Sequence, residues 1–214
     1  MSGWMATRLD ELEAIPLFDG IVWHPVRRRL GITAFGVNAY TAEAAGQTVV
    51  EEHDESGGGA GGHEELYVVV SGRATFTLAG ETLAAPAGSL VFISDPQVRR
   101  SAVAEEEGTL VLAIGASPGR PFTVSPWESY FAALPALRAG RFEEAIALIE
   151  AGLADRPGHP ALLYNLACAE SLGGRSLDAL LHLQQAVAAD PAYRARALAD
   201  PDFDAIRREP AFPA

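Results

Sequence analysis

The side chains best suited to chemistry fall in one stretch, Glu51-Glu52-His53-Asp54-Glu55-Ser56, then a glycine-rich run, then His63-Glu64-Glu65-Leu66-Tyr67. Imidazole nitrogens and carboxylate oxygens are the atoms that divalent transition metals take as ligands. Side chains alternate along a strand, so His63 and Glu65 share a face if a strand begins that early. His53 would arrive from the strand before. His53, His63 and Glu65 are therefore one candidate ligand set, and three protein ligands plus water is a normal catalytic arrangement. Glu51, Glu52, Asp54 and Glu64 are further oxygen donors. Against a metal, a glycine run supports His63 poorly, and a catalytic shell needs rigid support. Tyr67 and Phe76 are expected as core or as the lining of a pocket. The glycines from Gly57 to Gly62 match neither a P-loop nor a dinucleotide fingerprint; they read as a flap near the mouth of the fold.

Other reactive residue types lack partners in sequence. Cys168 is alone in the chain, which excludes an internal disulfide and reads as a buried packing thiol in a helix. His159 and His182 read as surface residues. Arg27, Arg28, Arg29 and Arg100 read as strand residues, half of them facing solvent. All sixteen basic residues are arginine, so no lysine is present for a Schiff base.

These residues need elements to position them. The 214 residues, 49% of them apolar, suffice for one large domain or two small ones. The formal charge of −12 argues against nucleic acid and against an anionic membrane surface. No stretch has the length of a membrane span and the N-terminus has no apolar core, so a soluble cytoplasmic protein is expected. Up to residue 116 the chain reads as short strands rich in Val, Thr, Phe and Ile, separated by Gly, Pro and Asp. Residues 117–126, with three prolines and a glycine, read as a linker. From 127 to 214 the spacing is helical: Phe142, Ile146, Ile149 and Leu153 fall on one face. This half repeats itself. Gly140 and Gly174, Ala145 and Ala179, and Pro157 and Pro191 are each 34 residues apart. Such a period, with small residues in the second helix and a closing proline, resembles the tetratricopeptide repeat, which implies a groove for protein interaction. Two repeats leave open faces, and the tail with Phe203, Ile206 and Phe212 is expected to cap one of them.

The β half resembles the cupin family of jelly-roll barrels. The resemblance rests on Glu65, six residues and Gly72, followed by fifteen residues and Gly88, which opens a second motif. Cupins usually hold a metal inside the barrel with two His and a Glu from the first motif and a His from the second. Here the His-x-His positions fall on Glu52 and Asp54, and the second-motif His falls on Arg99. A guanidinium offers no lone pair and repels a cation. The resemblance thus implies a metal-free pocket in which Arg99 pairs with Glu65, lined by Tyr67 and Phe76. Three functions follow as expectations. One is a non-catalytic barrel with a degenerate metal site that binds a small polar or anionic ligand, while the helices bind a protein or a second copy. Another is a metal-dependent dioxygenase or isomerase using His53, His63 and Glu65. The third is a structural protein in which both halves serve only dimerisation. A homodimer is expected under all three.

Overall fold

The computed structural model describes residues 5–18, 20–56 and 62–213. The flap expected on the glycine run lies almost wholly outside them, at 57–61. The chain divides into two compact units, Met1–Ser125 and Pro126–Ala214.

The first unit is two antiparallel sheets. Ten strands run in chain order: β1 Ile15–Pro16, β2 Ile21–His24, β3 Gly36–Ala42, β4 Thr48–His53, β5 Glu64–Ser71, β6 Arg73–Leu78, β7 Glu81–Pro86, β8 Leu90–Ile93, β9 Arg100–Ala104 and β10 Leu110–Ala116. One sheet has the order β1-β2-β3-β10-β5-β8 and the other β4-β9-β6-β7. Alternation decides what faces inward. On β5, Tyr67 and Val69 are buried; on β9, Arg100, Ala102 and Ala104; on β6, Ala74 and Phe76. With Val49, Val50, Val91, Ile93 and Val111 most of these form one apolar cluster between the sheets. Gly72 makes the tight β5–β6 turn at φ +69°, and a Cβ there would come within 2.8 Å of the Thr109 backbone.

The N-terminal extension adds β1 and β2 to the larger sheet and buries Trp23 completely. Arg27, Arg28 and Arg29 are not strand residues, contrary to expectation. They lie in a short helix, α1 Val26–Leu30, which ends on Gly31 in the left-handed region that glycine favours.

The second unit is helical: α2 Pro126–Arg138, α3 Phe142–Asp155, α4 Pro160–Leu172, α5 Ser176–Ala189 and α6 Ala192–Ala199. The α4–α5 hairpin repeats the α2–α3 hairpin 34 residues on, helix start for helix start. Ala145 and Ala179 are fully buried, where a small side chain lets paired helices approach. The tail folds back onto α4. Tyr164 donates to Asp200 at 2.7 Å, Ser171 donates to the Asp202 carbonyl at 2.7 Å, and Phe203, Ile206 and Phe212 enter the core of the second hairpin. His182 is not a plain surface residue: its Nδ1 lies 2.8 Å from the fully buried Glu170. Among the described residues no helix is long and apolar enough to cross a membrane.

Candidate functional site: an ionic cluster between the two sheets

The smaller sheet sets the site. His53 on β4 pairs in register with Arg100 on β9, so both side chains project to the same face of that sheet. Glu65 and Tyr67, two apart on β5, face them from the larger sheet. Three donor atoms converge on one oxygen, Glu65 Oε2: Tyr67 Oη at 2.6 Å, Arg100 Nε at 2.9 Å and Arg100 Nη2 at 2.8 Å. The Nη2 approach is an ion-pair contact without an aligned hydrogen bond. Arg100 Nη1 donates to the carbonyls of Val98 at 2.8 Å and Pro96 at 3.3 Å. The Asp95–Val98 turn is itself held by Asp95 accepting from Gln97 N, so it presents those carbonyls to the guanidinium. Arg100 is 0% exposed and Glu65 is 12% exposed.

The expected Arg99–Glu65 pair is corrected. Arg99 lies outside β9, 62% exposed, and pairs with Glu52 on the surface. The residue that meets Glu65 is Arg100. The turn before β9 sets the parity of the strand, and a one-residue difference exchanges the inner and outer faces.

The remaining groups lie nearer solvent. His53, 35% exposed, has Nε2 at 3.7 Å from Glu65 and 3.9 Å from Glu55, and Nδ1 at 2.7 Å from the Glu51 carbonyl. His63 does not join Glu65 as expected. Its Nδ1 lies 3.5 Å from Glu55, and its ring lies beside Phe122. At this site His53, Glu55 and Glu65 come within ligand distance of one another; among the described residues Cys168, Asp200 and Asp202 do so in the helical unit. Sequence reasoning missed Glu55. The available signal was Asp54-Glu55-Ser56, where Asp54 accepts from Ser56 N and turns the chain so that Glu55 N reaches the Pro96 carbonyl. Phe76 is 0% exposed beneath the Tyr67 ring, so it is core and does not line an open pocket; Tyr67 is 1% exposed and reaches the site through its hydroxyl.

Burial opposes ionisation of Glu65, but His53, Tyr67 and Arg100 outweigh it and hold the carboxyl below its usual range. Burial likewise opposes charge on His53, while Glu65 and the Glu51 carbonyl raise its pKa above the ordinary value. Burial and the Glu65 charge push the Tyr67 phenol well up, so it stays a donor.

Glu65 Oε2 already receives Tyr67 and a permanently charged guanidinium, and a divalent ion on that oxygen would lie against Arg100.

No protein-family model matches the chain, and no curated protein matches it. Solved structures similar to part of it include an RmlC-like cupin from Shewanella frigidimarina, 18% identical with a TM-score of 0.42 over 53% of this chain and 91% of that one. KdgF from Halomonas sp. is 21% identical, with a TM-score of 0.42 over 52% of this chain and 90% of that one. A cupin-superfamily sugar phosphate isomerase from Silicibacter pomeroyi is 16% identical, with a TM-score of 0.44 over 52% and 75%. The likeness concerns the fold alone.

Proposed function

We propose that the first unit is a cupin-like barrel that binds a small polar ligand without a metal, and that the second is a tetratricopeptide-type unit engaging a protein or a second copy of the chain. The observation that carries the first part is Arg100 on Glu65: a buried guanidinium supplies the positive charge next to the carboxylate that usually ligates a metal. The accessible chemistry is then His53, with Glu55 and Glu65 beside it. An imidazole with one nitrogen on a carbonyl and the other facing carboxylates is suited to exchanging a proton with a bound molecule. The helical part rests on the 34-residue recurrence of the two hairpins and on the small residues at Ala145 and Ala179.

A metal-dependent enzyme is the second reading, favoured by the convergence of His53, Glu55 and Glu65 within 4.8 Å. Native mass spectrometry of the untagged full chain, purified without chelator, separates the two. The expected result is no transition-metal adduct. A near-stoichiometric metal adduct that disappears in His53→Gln would replace the first reading with the second.

A further inference from the structure

The larger sheet carries a cleft of about 820 Å³ on its outer face, the face turned away from the ionic cluster. The floor is one row across four strands: Val22 on β2, Thr41 on β3, Leu110 on β10 and Ser71 on β5 stand in register. Alternation puts this row outside. Val111 joins the core between the sheets, while its neighbour Leu110 packs on an outer cluster of Leu12, Val26, Val37 and Ala39. His24 and Val70 extend the floor, and Arg8, Leu9 and Asp10 at the 3₁₀ turn Leu9–Glu11 form the facing wall. That wall is anchored, because Leu9 packs beside Leu12 against the same outer cluster.

The charges on this lining cancel. Arg8 donates Nε and Nη2 to the two carboxylate oxygens of Asp10, each at 2.8 Å. His24 Nε2 lies 3.0 Å from Thr41 Oγ1, and burial lowers the pKa of the ring, the Glu13 carbonyl opposing it only in part, so the imidazole is neutral at neutral pH. Ser71 Oγ donates to the Gly108 carbonyl at 3.0 Å, which leaves its oxygen as an acceptor. Val22, Val70, Leu9 and Leu110 supply apolar surface. A mostly apolar cleft of this volume with a few polar groups is the usual form of a small-molecule site. Among the described lining residues no charge is left unpaired, so a charged molecule would lose hydration there and gain no ion partner. We propose that this cleft binds an uncharged, largely apolar small molecule bearing a hydroxyl group, which donates to Ser71 Oγ. The site is separate from the barrel interior and does not depend on the reading given above for His53, Glu65 and Arg100.

The test is an NMR titration of the histidine ring signals of the full chain at neutral pH with phenol, and with benzoate and benzylammonium as charged molecules of similar size. His24 lines the cleft, and His53, His63, His159 and His182 serve as internal controls. Phenol is expected to shift the His24 signals saturably and to leave the other four in place, and the two ions to have no effect. Val70→Trp, which fills the cleft from a position 45% exposed, is expected to abolish the response, and Ser71→Ala to weaken it. An equal response to all three compounds, or a response that survives Val70→Trp, would overturn the inference. A phenol shift confined to His53 and His63 would remove the cleft and support the barrel interior as the small-ligand site. If phenol has no effect while Val70→Asp turns a dimer into a monomer by light scattering, the cleft belongs to an interface between copies and the inference falls.

Discussion

Arg99 and Arg100 are chemically identical neighbours with opposite environments, and the difference can be measured. Removing one partner of a buried ion pair leaves an uncompensated charge, so Arg100→Ala should cost about 3–5 kcal/mol. The exposed Arg99–Glu52 pair is worth about 0–1 kcal/mol, and Arg99→Ala should scarcely move the urea midpoint. Equal losses would contradict the assignment of the buried cation. The spacing of the cupin motif pointed to Arg99. The alternation Arg100, Ala102, Ala104, with small residues on the crowded inner face, was the better guide. Counting across the Asp95–Val98 turn cannot fix strand parity, because one residue more or less in the turn reverses it.

The pH dependence also belongs to single residues. The Glu65 carboxyl is held below its ordinary range, so its contribution is present above the unfolded carboxylate pKa and is lost as pH falls through the lower folded value. His53 has the opposite sign. Its folded pKa is raised, so its contribution is full below the unfolded histidine pKa and is lost as pH rises through the folded one. Thermal melts of wild type and His53→Gln should therefore converge as pH rises through the His53 pKa. A gap that widened instead would mean that Glu65 does not hold the imidazolium.

Among the elements, the β5–β6 turn and the tail give the sharpest contrasts. Gly72→Ala should cost more than the about 1–2 kcal/mol of the left-handed region alone, because its Cβ would also press on the Thr109 backbone. In the helical unit, Phe203 is 0% exposed and Leu177 is 84% exposed. Phe203→Ala should cost about 3–5 kcal/mol, and Leu177→Ala less than about 0.5 kcal/mol. Denaturant unfolding checks both, and a cheap Phe203→Ala would mean that the tail does not close the second hairpin. The strands β3 to β6 and β8 to β10 and the α3 and α5 helices were legible from their branched and apolar residues, whereas β7, Glu81–Pro86, offers only one β-branched residue and no aromatic one and was missed. β1 and β2, at two and four residues, are too short to show a period. In α2, Pro135 interrupts the helical pattern.

At the scale of the whole molecule, composition and period separated the β half from the helical half, and the change of unit at Ser125–Pro126 falls in the proline-rich stretch. The candidate site was only partly legible. Glu65, Tyr67 and His53 could be named from their strands, but the partner arginine and Glu55 depend on turns, whose side-chain directions no period encodes. The expected homodimer has a candidate face. The edge strand β8 presents Leu90 at 68% and Phe92 at 61% exposure, the kind of apolar edge that pairs with another chain unless it is covered. Light scattering should give a dimer mass that falls to a monomer in Leu90→Glu/Phe92→Glu; an unchanged mass would remove β8 from the interface.

The central claim is that the Arg100 guanidinium stands in for a metal. Its most direct test is calorimetric titration of Mn²⁺ and Zn²⁺ into the untagged wild type and Arg100→His, which swaps the guanidinium for a ligand. The expected result is no stoichiometric binding to the wild type and the gain of one site in the variant. Tight one-to-one binding to the wild type, lost in Glu65→Gln, would contradict the claim.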